Sequence, residues 1–429
     1  MNHELRSRRE FVRNMALTGS MAFLSSSPWV RLWGREEENR TGANDRVRLA
    51  VIGTGSRGTE LINNLIPVLK DINVEISAIC DNFPLHLNST LELCRKNGIN
   101  PVPYSDYTHL LEKEKHDGVI IAVPLTGHAQ IAVDCMRAGI HVFCEKAMAR
   151  TLDDVKLMYD TYCETGRILQ IGHQRLFNPI YLKGIEKIRN GEIGQIGQMR
   201  GYWHRNNNWR RPLPNNDKGL EKQINWRLYK ELSAGLLTEL MSHQLHVANW
   251  ALNRVPVSVM GTGSIVYWKD GRTVNDNVAL IYSYENGVKF IYDSMISNVK
   301  YGLEEQIMGD KATIEFEVNR NYAETPPPVP GIQHLINDIE HDIFDKITVA
   351  GSSWVPELAS SYKGEPIIED PDFLDTQLEL EGFARFIREG RIPEKMVLDP
   401  YYTSIWTLLG ERAIDTGLQL SMPAKYLVS

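Results

Sequence analysis

A short apolar run, Leu49-Ala-Val-Ile52, passes without a break into Gly53-Thr-Gly55-Ser56-Arg57-Gly58, and helix-forming sequence follows from Thr59. A strand, a glycine turn and a helix in that order constrain the fold more than any other stretch of the chain. Gly53 permits a tight turn, Gly55 lets a phosphate approach the backbone, and Gly58 lets the helix lie close on the strand. The helix N-terminus then offers free N–H groups and the positive end of a dipole. The expected dinucleotide contacts are therefore Gly53, Gly55, Ser56, Arg57 and Gly58.

The sequence beyond the turn supports that reading. Val74–Cys80 has the pattern of a second strand, and Asp81 follows it 23 positions after Gly58. A carboxylate there grips the adenosine ribose hydroxyls. It also favours NAD over NADP, whose 2′-phosphate it repels, although Arg57 could neutralise such a phosphate. Gly118 to Val123 is an apolar run that reads as a buried parallel strand. Pro124 ends it, and His128 opens a helix that closes at Gly139. His141-Val-Phe-Cys-Glu145-Lys146 is the next strand, and Ile168 to Ile171 another, running into His173-Gln174-Arg175. This alternation predicts an α/β fold with an N-terminal Rossmann domain over residues 45–168. In open α/β sheets ligands sit beyond the carboxyl ends of the strands. Gly53, Asp81, Pro124, Glu145 and Lys146 all fall at such ends, and His128 and Gln174 join them as expected cofactor contacts.

From Gln195 the pattern changes to alternating stretches, predicting a second α/β domain over 169–429 with an open, mainly antiparallel sheet. Glu285-Asn286-Gly287 is a hairpin signal. Helical periodicity returns over Asp375–Glu389 and Tyr401–Thr416, and Thr325-Pro-Pro-Pro-Val-Pro-Gly331 reads as a linker or surface loop.

The net charge of −7 argues against nucleic acid as a partner. No apolar run is long enough for a membrane span apart from export-like sequence at the start. There, Ser7-Arg8-Arg9-Glu10-Phe11-Val12 precedes a weakly apolar stretch from Met15 to Leu24. Residues 1–44 are expected to be a twin-arginine export signal and linker, placing the protein in the periplasm or otherwise outside the cytoplasm. The five cysteines, Cys80, Cys94, Cys135, Cys144 and Cys163, give neither a disulfide framework nor a zinc pattern, and all five read as packed and inert.

Three groups of residues have the chemistry of a reaction site. Lys146, at a strand end beside the nucleotide turn, can hydrogen-bond a substrate hydroxyl and lower its pKa. Glu239 and His243 lie four apart in an expected helix, Ala234–Leu252, so the carboxylate could orient the imidazole. His246 lies near the same face. This E-x-x-x-H-x-x-H spacing is not that of a metalloprotease, and no metal is expected. Trp209, Arg210 and Trp226 lie in a loop rich in Trp, Arg and Asn. Aromatic faces there can stack on a sugar ring while Arg and Asn satisfy its hydroxyls. With Arg175 and His246 they form the expected substrate contacts.

With these residues in place, the chain resembles the Gfo/Idh/MocA family of nicotinamide-dependent oxidoreductases over about Val47 to Pro423. The family commonly has E-K-P where this chain has Glu145-Lys146-Ala147, and D-x-G-x-H-x-x-D where it has Glu239-x-Met241-x-His243-x-x-His246. The resemblance implies that Lys146 is the catalytic lysine, His243 the proton-shuttling histidine and Glu239 its acidic companion. It implies hydride transfer between a hydroxyl of a sugar, inositol or glycoside, with C3 of a pyranose as one candidate, and nicotinamide. For an exported branch it implies a tightly held NAD. It also leaves open a glycosidase working by transient oxidation and elimination. A non-catalytic NAD- and sugar-binding sensor is a third reading. A small carbohydrate is the expected partner, together with a second copy of the chain through the open sheet.

Overall fold

The computed structural model describes residues 45–324 and 364–428. The expected export signal and the proline-rich stretch lie outside these residues. From Val47 onward the chain forms one unit.

The first sheet has six strands: β1 (Val47–Ile52), β2 (Val74–Cys80), β3 (Val102–Tyr104), β4 (Gly118–Ile121), β5 (His141–Cys144) and β6 (Leu169–Ile171). Their order is β3-β2-β1-β4-β5-β6, all parallel, with the direction of winding reversing between β1 and β4. That reversal opens a crevice at the carboxyl ends of β1 and β4, where doubly wound sheets take their ligands. The strands are apolar on both faces because helices cover both. These are α1 (Ser56–Leu65), α2 (Pro84–Lys96), α3 (Tyr107–Lys113), α4 (His128–Arg137) and α5 (Leu152–Thr165). Asp106 and Thr151 cap α3 and α5 with side-chain oxygens.

After α6 (Pro179–Arg189), an eight-stranded sheet forms from β7 (Ile196–His204), β8 (Ser258–Ser264), β9 (Asn277–Ser283), β10 (Lys289–Met295), β11 (Leu303–Gly309), β12 (Ala312–Glu315), β13 (Arg320–Ala323) and β14 (Glu365–Pro366). It is antiparallel throughout except where β7 pairs with β10. The hairpin between β9 and β10 turns at Gly287, in the left-handed region at φ +85°. One face is buried under α7 (Ser242–Leu252) and α9 (Lys395–Thr416), with Tyr282, Phe290 and Trp406 fully buried. The other carries Met260, Ile281 and Ile291 in register across β8, β9 and β10.

Three expectations change. The chain does not divide at residue 168. β6 belongs to the parallel sheet, and α8 (Asp375–Glu389) returns to cover it, with Phe383 set edge-on against Phe143 of β5 at 5.9 Å. Gln170 of β6 donates to the Glu379 carbonyl of α8 at 3.0 Å. Helix α9 begins at Lys395 rather than Tyr401 and carries Pro400 inside it. Finally, Cys163 is exposed on the outer side of α5, whereas the other four cysteines are buried.

Candidate active site

The glycine turn has the geometry its sequence demands. Gly53 sits at φ +90°, and a Cβ there would lie 2.6 Å from the Ala122 carbonyl oxygen. A Cβ on Gly58 would meet the Gly53 carbonyl oxygen at 1.9 Å. Strand β1 and helix α1 are thus as close as two backbones can pack. Gly55 caps α1 with no side-chain bond, and the first turn holds no acidic residue, so its N–H groups face an open turn. Asp81 closes one side. Its carboxylate accepts from Thr54 N at 2.7 Å and Phe83 N at 2.8 Å, with the His86 ring 3.7 Å away. Burial works against its charge, but His86 and these N–H groups outweigh it and hold the carboxyl below its usual range. A crevice at the switch point of a parallel sheet, glycine cradles that no Cβ could share and an ionised carboxylate at the end of β2 fit a dinucleotide.

Arg57 and Glu145 turn out to be partners. Arg57 donates through Nε to Glu145 Oε1 at 2.7 Å and through Nη1 to Glu60 at 2.8 Å. With two carboxylates satisfying it, Arg57 is not a free cation awaiting a 2′-phosphate. Strand β4 stops at Ile121, short of the expected Val123, and Pro124 instead leads a single tight turn over Leu125–Gly127. His128 is buried, with Nδ1 at 3.0 Å from the Ala147 carbonyl and Nε2 at 3.0 Å from the Val123 carbonyl. It fastens the loop after β4 to the loop after β5 instead of facing the crevice. Gln174 lies in a short turn after β6, its Oε1 buried without a hydrogen bond among the described residues.

Lys146 projects from the end of β5. Its Nζ donates to the carbonyls of Thr238 at 3.0 Å and Glu239 at 2.8 Å. An ammonium has three donors, so among the described residues one is left. Burial lowers its pKa, opposed by the charges of Glu239 and Glu145. The peptide that follows, Lys146–Ala147, is cis.

The expected helix over Ala234–Leu252 is a π-turn, Leu237–Met241, running into α7. The wider π-turn exposes the two carbonyls that hold Lys146, a common use of such irregularities at functional sites. It also overturns the expected pairing of Glu239 with His243. The Glu239 carboxylate instead accepts from Arg227 Nε at 2.6 Å. Burial opposes its charge, but Arg227 and Lys146 keep the carboxyl below its usual range. His243 is buried with Nδ1 unbonded among the described residues. Burial, then the charges of Lys146 and Arg175, push its pKa well below the usual imidazole value, so the ring is neutral. The His173 ring stands edge-on to His243 at 5.9 Å and stacks on His246 at 4.3 Å. His246 is fully buried and pushed down to about 3 by burial. Its nitrogens also lack partners among the described residues, but it lies behind His173, not at an opening. No group of three metal-ligating side chains is placed to hold a metal among the described residues.

The expected substrate contacts divide. Arg175 is buried in an ion cluster, 2.8 Å from Glu317 and 3.0 Å from Glu305, with its guanidinium 5.8 Å from the Trp203 ring centre. Arg210 is committed to Glu221 and Asp270. Both arginines thus hold the structure around the crevice rather than offer charge to a ligand. Trp209, at φ +57°, and Trp226 are half-buried in the loop beside it, Trp226 under the Arg227 guanidinium at 4.2 Å. Trp203, which opens the same Trp-, Arg- and Asn-rich stretch of sequence, is the aromatic ring beside His243, 6.0 Å between centres. Arg227, in the second half of that stretch, serves as the partner of Glu239, 12 residues away, which its sequence position alone does not show.

Comparison with known proteins agrees with this geometry. The description "Oxidoreductase family, NAD-binding Rossmann fold" matches residues 47–173, and "GFO/IDH/MocA C-terminal domain" matches residues 181–315. A glycosyl hydrolase family 109 protein of Stenotrophomonas maltophilia is 31% identical over 207 residues, which is 46% of this chain and 42% of that protein. An inositol 2-dehydrogenase of Salmonella typhimurium is 26% identical over 336 residues, covering 73% of this chain and 91% of the relative. Among solved structures, the WlbA dehydrogenase of Bordetella pertussis in complex with NADH and UDP-GlcNAcA superposes with a TM-score of 0.65. It is 17% identical, with 88% of this chain and 98% of that one covered, a likeness of fold.

Proposed function

The chain belongs to the Gfo/Idh/MocA family of NAD-binding oxidoreductases, and we propose that it oxidises or reduces a secondary hydroxyl of a sugar, polyol or glycoside. The observation that carries this reading is the pairing of Lys146, with one donor left, and a neutral His243, at the same edge of the parallel sheet as the glycine turn and Asp81. NAD, when bound, supplies the hydride acceptor. Gly53, Gly55, Gly58 and Asp81 would hold it. Lys146 donates its remaining N–H to the substrate oxygen and stabilises the negative charge that develops there. His243 takes the hydroxyl proton on a ring nitrogen. Glu239 serves by fixing Arg227 and by lending its carbonyl to Lys146. Trp203 offers an apolar face to the ring of the substrate, and Trp226 and Trp209 border the approach.

Incubating the purified chain with hexoses, inositols and glycosides deuterated at each ring carbon tests the reading. Deuterium should appear in the protein's own nicotinamide and a keto product should form. A panel that leaves the nicotinamide unlabelled sinks it. The pH profile gives a second check. A base whose pKa is depressed stays in its active, unprotonated form through neutrality and loses it only as pH falls. The acid limb of kcat/KM should therefore lie below the ordinary imidazole value of about 6.5. An acid limb at or above pH 7 would remove His243 from the role.

The glycosyl hydrolase relative, at 31% identity, favours a second reading. Oxidation at C3 would acidify the C2 proton, and the aglycone would leave by elimination. Chromogenic glycosides separate the two, since this route releases aglycone without net change in NAD. Two further parts of the proposal rest on the twin-arginine pattern and on the outer sheet face. They are export, checked by cell fractionation, and pairing of two copies over Met260, Ile281 and Ile291, checked by light scattering. Met260 is 49% exposed and Ile281 38%, apolar surface that a second copy would cover.

A further inference from the structure

Between β7 and the π-turn the chain makes a long excursion, residues 205–236, that lies over the glycine turn. It is built rather than loose. Arg210 is tied to Glu221 and Asp270, and the Tyr229 hydroxyl donates to Glu221 at 2.8 Å. Its far end is held by Arg150, which donates to the Lys230 carbonyl and forms a two-pronged ion pair with Glu411, both prongs 2.8 Å. At its centre the buried Asn225 side chain accepts from Arg211 N at 2.7 Å and donates to Arg211 O at 3.1 Å, clamping one residue's backbone from both sides.

What this clamp presents is the Arg211 guanidinium, whose Nη1 lies 2.6 Å from Ser56 Oγ, the first residue of α1. No carboxylate hydrogen-bonds Arg211 among the described residues. Its charged neighbours are Arg227, which repels it, and Glu239, which attracts it but is already paired with Arg227. A solvent-exposed guanidinium has been placed by a rigid support against the positive end of a helix that no side chain caps, and the Arg227–Glu239 pair beside it is already neutral. Two positive features thus face one spot, where an anion would be favoured. A guanidinium fork matches phosphate oxygens in the way helix N–H groups do.

We propose that Arg211, carried in by the second domain's strap, binds the pyrophosphate of the dinucleotide from the side opposite the glycine turn, so that the cofactor leaves only when the strap lifts. This rests on the reading that the site takes NAD. It supplies a structural reason for a cofactor retained through many turnovers, which the glycine turn by itself does not.

The test is binding and release, measured on the full chain with NADH, ADP-ribose and adenosine as probes. In Arg211→Gln, affinity for NADH and ADP-ribose should fall about tenfold or more, and NADH should dissociate correspondingly faster. Adenosine, which has no phosphate, should bind as before. Arg211→Lys, which keeps the charge but loses the fork, should fall between. If wild-type protein binds neither NADH nor ADP-ribose, the dinucleotide reading itself fails. If wild-type binds both and Arg211→Gln holds and releases them unchanged, the strap proposal is overturned while the dinucleotide reading stands. An equal loss for adenosine would also overturn it, since the residue would then be acting on the fold of the crevice.

Discussion

Replacing His243 by Asn is expected to lower kcat by about a hundredfold to ten-thousandfold, the usual contribution of a positioned proton acceptor. NADH affinity should be unchanged, because His243 lies on α7 and no glycine-turn residue bonds to it. Asn keeps a polar group of similar reach in the buried space but cannot take a proton near neutrality. Lys146→Met is expected to cost about a hundredfold to a thousandfold, the cost of removing one preorganised donor from a developing oxyanion. It also leaves the Thr238 and Glu239 carbonyls without the ammonium they hold. If the two residues act on the same oxygen and its proton, the double variant should be scarcely slower than the worse single one. Stopped-flow measurement of NAD reduction in each variant checks all three values. Full activity in either single variant defeats the assignment. A double variant whose loss is the product of the two would place the residues at separate steps.

The expected site was legible where chemistry depends on local sequence and obscure where it depends on partners. The glycine turn, Asp81 and the strand ends were readable because a Rossmann crevice is made by consecutive residues with fixed spacing. The parallel direction of the sheet's strands follows once strands and helices alternate. The roles of Arg57, Arg175 and Arg210 were not readable. Each is a cation in a suggestive stretch, and each is answered by a carboxylate far off in sequence: Glu145, Glu305 with Glu317, and Asp270. Spacing shows that a charge exists, not whether it is already satisfied. Glu239 and His243 were expected to share a face, and would in a regular helix. The π-turn changes the angle between them, and no composition cue marks it. The division of the chain was obscure for a similar reason. Helix α8 has an amphipathic pattern, but the pattern does not say that its apolar face returns to the first sheet, where Phe383 meets Phe143.

The same distinction between local and distant constraint gives a pair of glycine variants whose outcomes should diverge. Gly58→Ala puts a Cβ at 1.9 Å from the Gly53 carbonyl oxygen, a backbone atom that cannot swing away. Either α1 must move off β1 or the turn must rearrange, at an expected cost of about 3 kcal/mol or more. Stability and NADH binding should fall together. Gly55→Ala meets nothing nearer than the His86 ring at 3.5 Å, and Gly55 has φ −65°, which alanine adopts freely. Its stability should stay within about 0.5 kcal/mol of wild type. Yet its Cβ intrudes where the pyrophosphate must approach the backbone, and NADH affinity should drop sharply. Urea unfolding without cofactor, paired with NADH titration, separates the two effects. A Gly55→Ala protein that is stable and still binds NADH normally would mean that the phosphates do not lie against this turn. The contact of Arg211 with Ser56 would then have to be explained without them.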